Sequence, residues 1–164
     1  MQPAKEIIKF SNIDKGMHVL EIGSGSGFFT IPTAKILGNE GKIAALDIQQ
    51  QMLDKISKKL EKEENSDIKN IILVKASAYE IPYPAESFDV VFTVSVLQEI
   101  PEPHAALLEA HRVLKTGGVI SVSEFIPDPD WPLPSTVEKQ LAATGFKNIN
   151  RHGNIFRYTI TGVK

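Results

Sequence analysis

Short apolar runs alternate with amphipathic segments along most of the chain. Five runs have the length and β-branched content of buried strands: MHVLEI at 17–22, KIAALDI at 42–48, NIILVK at 70–75, VVFTV at 90–94 and VISVSEF at 119–125. Apolar residues at helical spacing occupy four other segments, at 3–13, 28–37, 50–64 and 103–114. This alternation predicts an α/β fold with a parallel sheet and helices on both of its faces.

The segment 50–64 shows the helical pattern most clearly. Met52, Leu53, Ile56 and Leu60 fall on one face, and the lysines are expected on the other. Gly38 follows the helix predicted at 28–37 and is expected to end it as a C-terminal cap.

The pattern changes after residue 126. Four prolines between 127 and 134 exclude regular structure there. Ser135 is then expected to cap a helix that runs to Thr144, with Glu138 completing a capping box. Two strands at 146–151 and 154–162, joined near Gly153, predict a hairpin and hence one antiparallel strand at the end of the sheet.

Composition places the chain among ordinary globular domains. Its 164 residues are 42% hydrophobic and 23% charged, with a formal net charge of −2, and we expect one domain over 1–164. The near-neutral charge disfavours strong binding to nucleic acid or to an anionic membrane. The absence of cysteine excludes thiolate metal sites and cysteine nucleophiles, and no metal is expected. No signal peptide or membrane span is visible, so a cytoplasmic protein is the default expectation.

The segment between the first strand and the next helix carries the strongest chemical signal. Gly23, Gly25 and Gly27 alternate with Ser24 and Ser26 there. Glycines allow a ligand to approach the backbone closely, and a helix N-terminus offers amide donors to it. Asp47 ends the next strand, 20 residues after Gly27, where an acid can hold a ribose diol. A simple tight turn, with Asp47 capping a helix, is the structural alternative.

The spacing of the glycines separates two classes of cofactor. The dinucleotide fingerprint G-x-G-x-x-G would place its third glycine at position 28, which is Phe28. The pattern is instead an acid followed by G-x-G-x-G. A nicotinamide-dependent oxidoreductase therefore stays only as a minor alternative.

Four segments, taken in order, resemble the class I (Rossmann-like) S-adenosylmethionine-dependent methyltransferases, in their small-molecule "type 11" branch. They are VLEIGSGSGFFT at 19–30, ALDIQQQML at 45–53, IPYPAESFDVVFTVSVLQEIPEP at 81–103 and HRVLKTGGVISVSEF at 111–125. The resemblance covers roughly residues 4–164. It implies a three-layer sandwich around a seven-stranded sheet of order 3-2-1-4-5-7-6, with the last strand antiparallel.

The resemblance also implies which residues hold S-adenosyl-L-methionine. Glu21 would support the amino group of the methionine moiety, the loop of Gly23, Ser24, Gly25 and Gly27 would line that moiety, and Asp47 would take the ribose hydroxyls. Ile48 and the pair Ser77 and Ala78 would lie beside the adenine, and the Val94 carbonyl would meet the amino group. Ser77 replaces the acid usual in the family, and Gln98 replaces a common histidine; both are departures from the pattern.

Methyl transfer from a sulfonium requires mainly that the acceptor be aligned with the methyl group. A base is needed only where the acceptor must lose a proton. Near the expected mouth of the cleft, Glu99, His104, Glu124 and Tyr83 could provide one. Each also has a structural interpretation: Glu99 and His104 as exposed residues, Glu124 as a solvent-facing strand residue and Tyr83 as loop packing. Trp131 could line the acceptor pocket, or its side chain could only pack within its own loop. The catalytic residue therefore stays unassigned.

The acceptor is expected to be a small or medium-sized molecule. The sequence TVSV at 93–96 stands where base-flipping amino methylases carry their motif, so nucleic acid is not expected. The lack of cysteine also excludes arsenite methylation. A short N-terminal segment predicts an open cleft. This leaves three alternatives: the acceptor is large, a second copy of the chain closes the cleft, or a lid lies outside this sequence. A module that binds the cofactor without catalysing transfer is the main alternative.

Overall fold

A seven-stranded sheet forms the centre of the molecule, for which the computed structural model describes residues 4–125 and 132–164. The strands are β1 His18–Ile22, β2 Lys42–Asp47, β3 Ile71–Lys75, β4 Phe88–Val94, β5 Leu114–Phe125, β6 Lys147–Asn154 and β7 Arg157–Val163. Their order is β3-β2-β1-β4-β5-β7-β6. Strand β7 is antiparallel to β5 and β6, and the other pairs are parallel. The predicted sheet order is therefore confirmed.

Helices cover both faces of this sheet. In the described part of the chain they are α1 Ala4–Phe10, α2 Thr30–Leu37, α3 Gln50–Leu60, α4 Pro103–Val113 and α5 Pro134–Ala143, with 3₁₀ turns at Glu63–Asn65 and Leu97–Glu99. Val19 lies in one buried cluster with Ile8 of α1 and Leu37 of α2. Its neighbour Leu20 lies in the cluster formed with α4 and α5 on the other face. Each such aliphatic side chain stabilises the fold by about 2 kcal/mol.

The capping box predicted at Ser135 is wrong. Helix α5 begins at Pro134, with Leu133 as its N-cap residue and no side-chain capping bond. Proline suits the first helical position because it lacks an N–H and its φ is already helical. Ser135 therefore lies inside the helix, and Glu138 forms an ion pair with Arg151 at 3.5 Å.

Several element boundaries also differ from the prediction, most at the end of α3 and the beginning of β5, and the final hairpin turns at 155–156 rather than near Gly153, which lies within β6. Helix α3 ends at Leu60 rather than at 64, because the buried Asn65 side chain donates to the Lys59 carbonyl at 2.8 Å and residues 63–65 turn as a 3₁₀ helix. Strand β5 begins at Leu114, which pairs with Phe88 before a register shift in β4. Glycine-containing irregularities of this kind leave no periodic signal in the sequence.

The parallel strands β1, β2 and β4 end at one edge of the sheet. Strand order reverses at β1, because β2 lies on one side of it and β4 on the other. The crevice at such a reversal is the usual ligand site of open α/β sheets. Within residues 4–125 and 132–164, no helix is long and apolar enough to cross a membrane.

Candidate functional site

A cavity of about 380 Å³ opens at this edge, next to the ends of β1 and β2. Its walls come from five chain segments that the fold brings together: Ile22, Gly23, Gly25, Leu46, Asp47, Ile48, Gln49, Met52, Ala78, Val96, Glu99 and Ile100. Most of these side chains are apolar, and the polar groups converge from β2 and from the turn after β4. This is the composition expected of a small-molecule site.

The glycine loop forms one wall of the cavity with its backbone. The N–H groups of Gly23 and Ser24 both donate to the Leu46 carbonyl, at 2.8 and 3.0 Å, which fixes the loop to the end of β2. Gly23 and Gly25 have φ values of 74° and 50°. A Cβ atom at Gly25 would project into open space, whereas one at Gly23 would lie 2.5 Å from Val96 Cγ2. The loop therefore offers bare backbone to a ligand, and Val96 closes it from the side of β4.

Asp47 connects the loop to the cavity. Its carboxylate is 7% exposed and accepts hydrogen bonds from the N–H of Gly25 at 2.8 Å and from the N–H of Gln49 at 2.9 Å. A carboxylate has about four acceptor positions, so two remain for a ligand. Asp47 thus reaches the place that the sequence predicted for it, and it also holds the loop.

Glu21 lies beneath the loop rather than on the cavity wall. It is 2% exposed, and the Thr30 hydroxyl of α2 donates to its Oε2 at 2.5 Å. Burial raises the pKa of Glu21 to about 8; the bond from Thr30 opposes the increase, and the nearby Asp47 carboxylate adds to it. Glu21 therefore holds its proton more strongly than an ordinary carboxyl group does.

The charges at the cavity have one sign. Asp47 and Glu99 are the charged residues of its wall, and no lysine, arginine or histidine lies among the described lining residues. Ser24 is 4% exposed, and its hydroxyl has no hydrogen-bond partner in the described structure. A dinucleotide carries a pyrophosphate and would meet repulsion here, whereas a ligand with a positive group would be attracted.

Of the other predicted cofactor residues, some line the cavity and others do not. Ile48, 66% exposed, and the buried Ala78 both line the cavity. Ser77 accepts a bond from the Tyr79 N–H at 3.1 Å and is not a wall residue. Gly27 is buried against Ile56 of α3. The side chain of Val94 packs with the cluster of α1 and α2, away from the cavity.

The four possible bases lie in different places, and only Glu99 lines the cavity. His104 is an exposed residue in the first turn of α4, as its structural interpretation predicted. Tyr83 lies with His18 and Lys42 around a separate cavity at the amino ends of the strands, so its expected place at the mouth of the cleft is wrong. Trp131 lies outside the described residues.

Glu124 does not face solvent, which corrects its structural interpretation. It is 0% exposed at the end of β5 and pairs in register with Tyr158 of β7. The pKa of Tyr158 is raised mainly by burial and then by the carboxylates of Glu124 and Glu138. The Tyr158 hydroxyl donates to the Pro132 carbonyl at 2.6 Å, so this pair lies close to the beginning of α5.

Sequence reasoning missed six wall residues, among them Ile22 and Leu46, which the apolar pattern places only within their strands. Gln49 and Met52 follow Asp47 into α3, and Val96 and Ile100 flank the 3₁₀ turn after β4. Met52 was assigned only to the apolar face of its helix. The position of Val96 depends on backbone geometry: Ser95 adopts φ 54°, and the chain turns there so that Val96 lies against Gly23 of the glycine loop. Periodicity alone does not reveal a non-glycine residue in that conformation.

Comparison with known proteins agrees with this geometry. A family model described as a methyltransferase domain matches residues 13–157. A demethylmenaquinone methyltransferase of Staphylococcus aureus is 34% identical over 143 residues, which are 87% of this chain and 55% of that protein. A relative of the same name from Listeria welshimeri is 35% identical over 71% of this chain and 48% of its own length. The chain thus spans about half the length of the curated relatives it matches.

Solved structures share the fold. A SAM-dependent methyltransferase from Aquifex aeolicus superposes with a TM-score of 0.83 at 24% identity, over 98% of this chain and 88% of that one. The family model's match over 13–157 covers well over half of the sequence. The chain belongs to the class I S-adenosylmethionine-dependent methyltransferases.

Proposed function

We propose that this chain transfers the methyl group of S-adenosylmethionine to a small-molecule acceptor. The observation that carries the proposal is the cavity at the ends of β1 and β2, where bare glycine backbone meets Asp47 and Glu99 and no basic residue is found among the described residues of the wall. S-Adenosylmethionine carries a sulfonium and an ammonium group, and acidic walls suit both. When bound, it supplies a methyl group already activated by the positive sulfur.

The residues of the site fit this cofactor in three respects. The open space over Gly25 leaves room for the methionine moiety. The free acceptor positions of Asp47 suit ribose hydroxyls. Ile48 and Ala78 provide apolar contacts for a flat base. Glu21 supports the site from below, through its hydrogen bond with Thr30.

The chain's main catalytic task would be to position the acceptor. Holding the two reacting atoms in line replaces a bimolecular encounter and contributes the largest share of such a rate enhancement. Glu99, in the 3₁₀ turn at the rim, is the wall residue that can take a proton from an acceptor hydroxyl or carbon acid. The name shared by the curated relatives makes a demethylated quinol the first acceptor to test.

Binding of the cofactor without methyl transfer is the second candidate function. A structure titled as the [4+2]-cyclase SpnF superposes with a TM-score of 0.79 at 19% identity, over 98% of this chain and 80% of that one. The fold therefore hosts other chemistry as well. Gln98 and Ser77, which depart from the family pattern, favour this alternative, whereas Glu21 and Asp47, which keep the family pattern, oppose it.

The experiment is transfer of labelled methyl from S-adenosylmethionine to a panel of quinols, phenols and amines. We expect label in at least one acceptor with wild type, loss of at least about 90% with Asp47→Ala, and little change with Asp54→Ala, an exposed acid of α3. Tight binding of the cofactor without labelling of any acceptor would support the binding module instead.

The proposed function also bears on the binding partners of the chain, which are the acceptor and a second copy of the chain. An acidic cavity gives a polyanion no counter-charge, which supports a small acceptor over nucleic acid. A second copy that closes the cleft would appear in light scattering as a dimer whose dissociation raises the KM for the acceptor.

A further inference from the structure

One face of helix α3 lies along the glycine loop. Met52 lines the cavity, Ile56 packs against Gly27, and Lys59 contacts Ser26. These residues have the spacing i, i+4 and i+7, so they form one stripe of the helix. Lys59 therefore lies on the face turned to the sheet, which corrects the expectation that the lysines of this helix all face solvent.

The contact of Lys59 is with the backbone of the loop. Its Nζ donates to the Ser26 carbonyl at 2.7 Å, and the residue is half-buried. Ser26 stands between Gly25 and Gly27, whose φ values are 50° and 82°. Residues flanked by such glycines have wide conformational freedom when nothing holds them. The ammonium group thus holds the Ser26 carbonyl in place between two glycines, where the loop backbone has the widest conformational freedom.

Lys59 is itself held in place. The Asn65 side chain, 6% exposed, donates to the Lys59 carbonyl at 2.8 Å and terminates the helix there. A Cβ atom at Gly27 would lie 2.9 Å from Ile56 Cγ1, so the loop and the helix are already in close contact one turn away. Neighbouring Lys58 is exposed and makes no hydrogen bond or ion pair among those of the described residues.

We propose that Lys59 is a positioning residue that keeps the glycine loop in the shape that receives the cofactor. The proposal rests on the proposed function, because the same loop forms the cofactor wall. Lys59 does not line the cavity; it acts by removing conformational freedom that the loop would otherwise lose on binding. Its ammonium is the donor of a charge-assisted bond, which is stronger than a neutral one.

Three variants of the full chain test this inference: Lys59→Met, Lys59→Arg and the matched control Lys58→Met. The probe is S-adenosylhomocysteine in calorimetric titration. Loss of one such bond predicts binding weaker by about three- to tenfold in Lys59→Met. We expect recovery of most of the affinity in Lys59→Arg and a change below about twofold in Lys58→Met. Equal affinities of wild type and Lys59→Met would overturn the proposal.

A second readout does not depend on the cofactor. Hydrogen exchange of the free protein reports the loop directly, because the Gly27 N–H donates to the Ser24 carbonyl at 3.0 Å. Lys59→Met should speed exchange at Gly25 and Gly27 by about three- to tenfold while the strands of the sheet keep their protection. Unchanged exchange in the loop contradicts the role of Lys59. Absence of binding in wild type, with the expected exchange difference, contradicts only the proposed function.

Discussion

Asp47 Oδ2 accepts a hydrogen bond from the backbone N–H of Gly25 at 2.8 Å, which joins the end of β2 to the middle of the loop after β1. The same carboxylate accepts from Gln49, so both of its oxygens hold the backbone around the cavity. The acid predicted to bind a ligand is therefore also part of the structure that shapes the site. Removing it should affect binding and stability together.

Asp47→Ala leaves two N–H groups without an acceptor. We expect the free energy of unfolding to fall by about 1–3 kcal/mol and the affinity for S-adenosylhomocysteine to fall at least about tenfold. Asp47→Asn retains one carbonyl acceptor and should lose less of both. Chemical denaturation and calorimetry measure the two effects, with Asp54→Ala as the control. Wild-type affinity in Asp47→Ala would remove Asp47 from the cofactor site.

Glu21 should make stability depend on pH. The unfolded chain releases this proton near the ordinary pKa of 4.5, whereas the folded chain holds it until the pKa of about 8. Between these values the folded state binds more protons, so its stability falls as pH rises, by at most about 1.4 kcal/mol per pH unit.

The variant Glu21→Gln isolates this dependence. It carries no titrating group at position 21, so its stability relative to wild type should increase between about pH 5 and about pH 8. Urea unfolding across this range is the measurement, and Glu6→Gln, an exposed position of α1, is the control. A constant difference between Glu21→Gln and wild type would show that the pKa of Glu21 is not raised.

Gly23 should tolerate no side chain. Gly16 and Gly23 have φ values of 82° and 74°, but a Cβ atom meets nothing within 4 Å at Gly16 and lies 2.5 Å from Val96 Cγ2 at Gly23. Gly16→Ala should cost about 1–2 kcal/mol of stability from backbone strain alone. Gly23→Ala should cost at least about 1 kcal/mol more and abolish cofactor binding. Partial recovery in Gly23→Ala with Val96→Ala would identify the overlap as the cause.

Glu99 and Tyr83 should differ in their effect on turnover. Glu99 lies on the wall of the cavity, whereas Tyr83 packs on Phe88, with ring centroids 4.8 Å apart, at the opposite edge of the sheet. Glu99→Gln should lower kcat by about 10²-fold if the acceptor must lose a proton. Tyr83→Phe should leave kcat and KM within about twofold. An unchanged kcat in Glu99→Gln would exclude Glu99 as the base.

The strands and the glycine loop could be predicted from the sequence, since both depend on local patterns, whereas the order of the strands followed from the resemblance to the methyltransferase family. Strand periodicity and the glycines at 23, 25 and 27 act over a few neighbouring residues. The roles of Lys59 and Val96 could not be predicted from the sequence, because each depends on a contact between residues distant in the chain. The helical pattern treats Lys59 as a surface residue, and only the packed structure shows its carbonyl partner.

The candidate base illustrates the same limit. Glu99 lies between β4 and α4, Tyr83 between β3 and β4, His104 at the beginning of α4 and Glu124 near the end of β5, so their positions along the chain cannot separate them. The sheet places Tyr83 at its amino edge and buries Glu124 beside Tyr158, while the 3₁₀ turn carries Glu99 to the cavity. Tertiary packing thus decides which of these four residues can contact a ligand, whereas the sequence alone identifies only the four candidates.

We propose that the acidic cavity at the ends of β1 and β2 takes S-adenosylmethionine rather than a dinucleotide. Calorimetric titration of the full chain with S-adenosylhomocysteine and, in parallel, with NAD tests it most directly. We predict binding of S-adenosylhomocysteine with a Kd of about 1–100 μM at a stoichiometry of about one, and no measurable heat with NAD. Binding of NAD with comparable affinity, or no binding of S-adenosylhomocysteine by folded protein, would contradict the account.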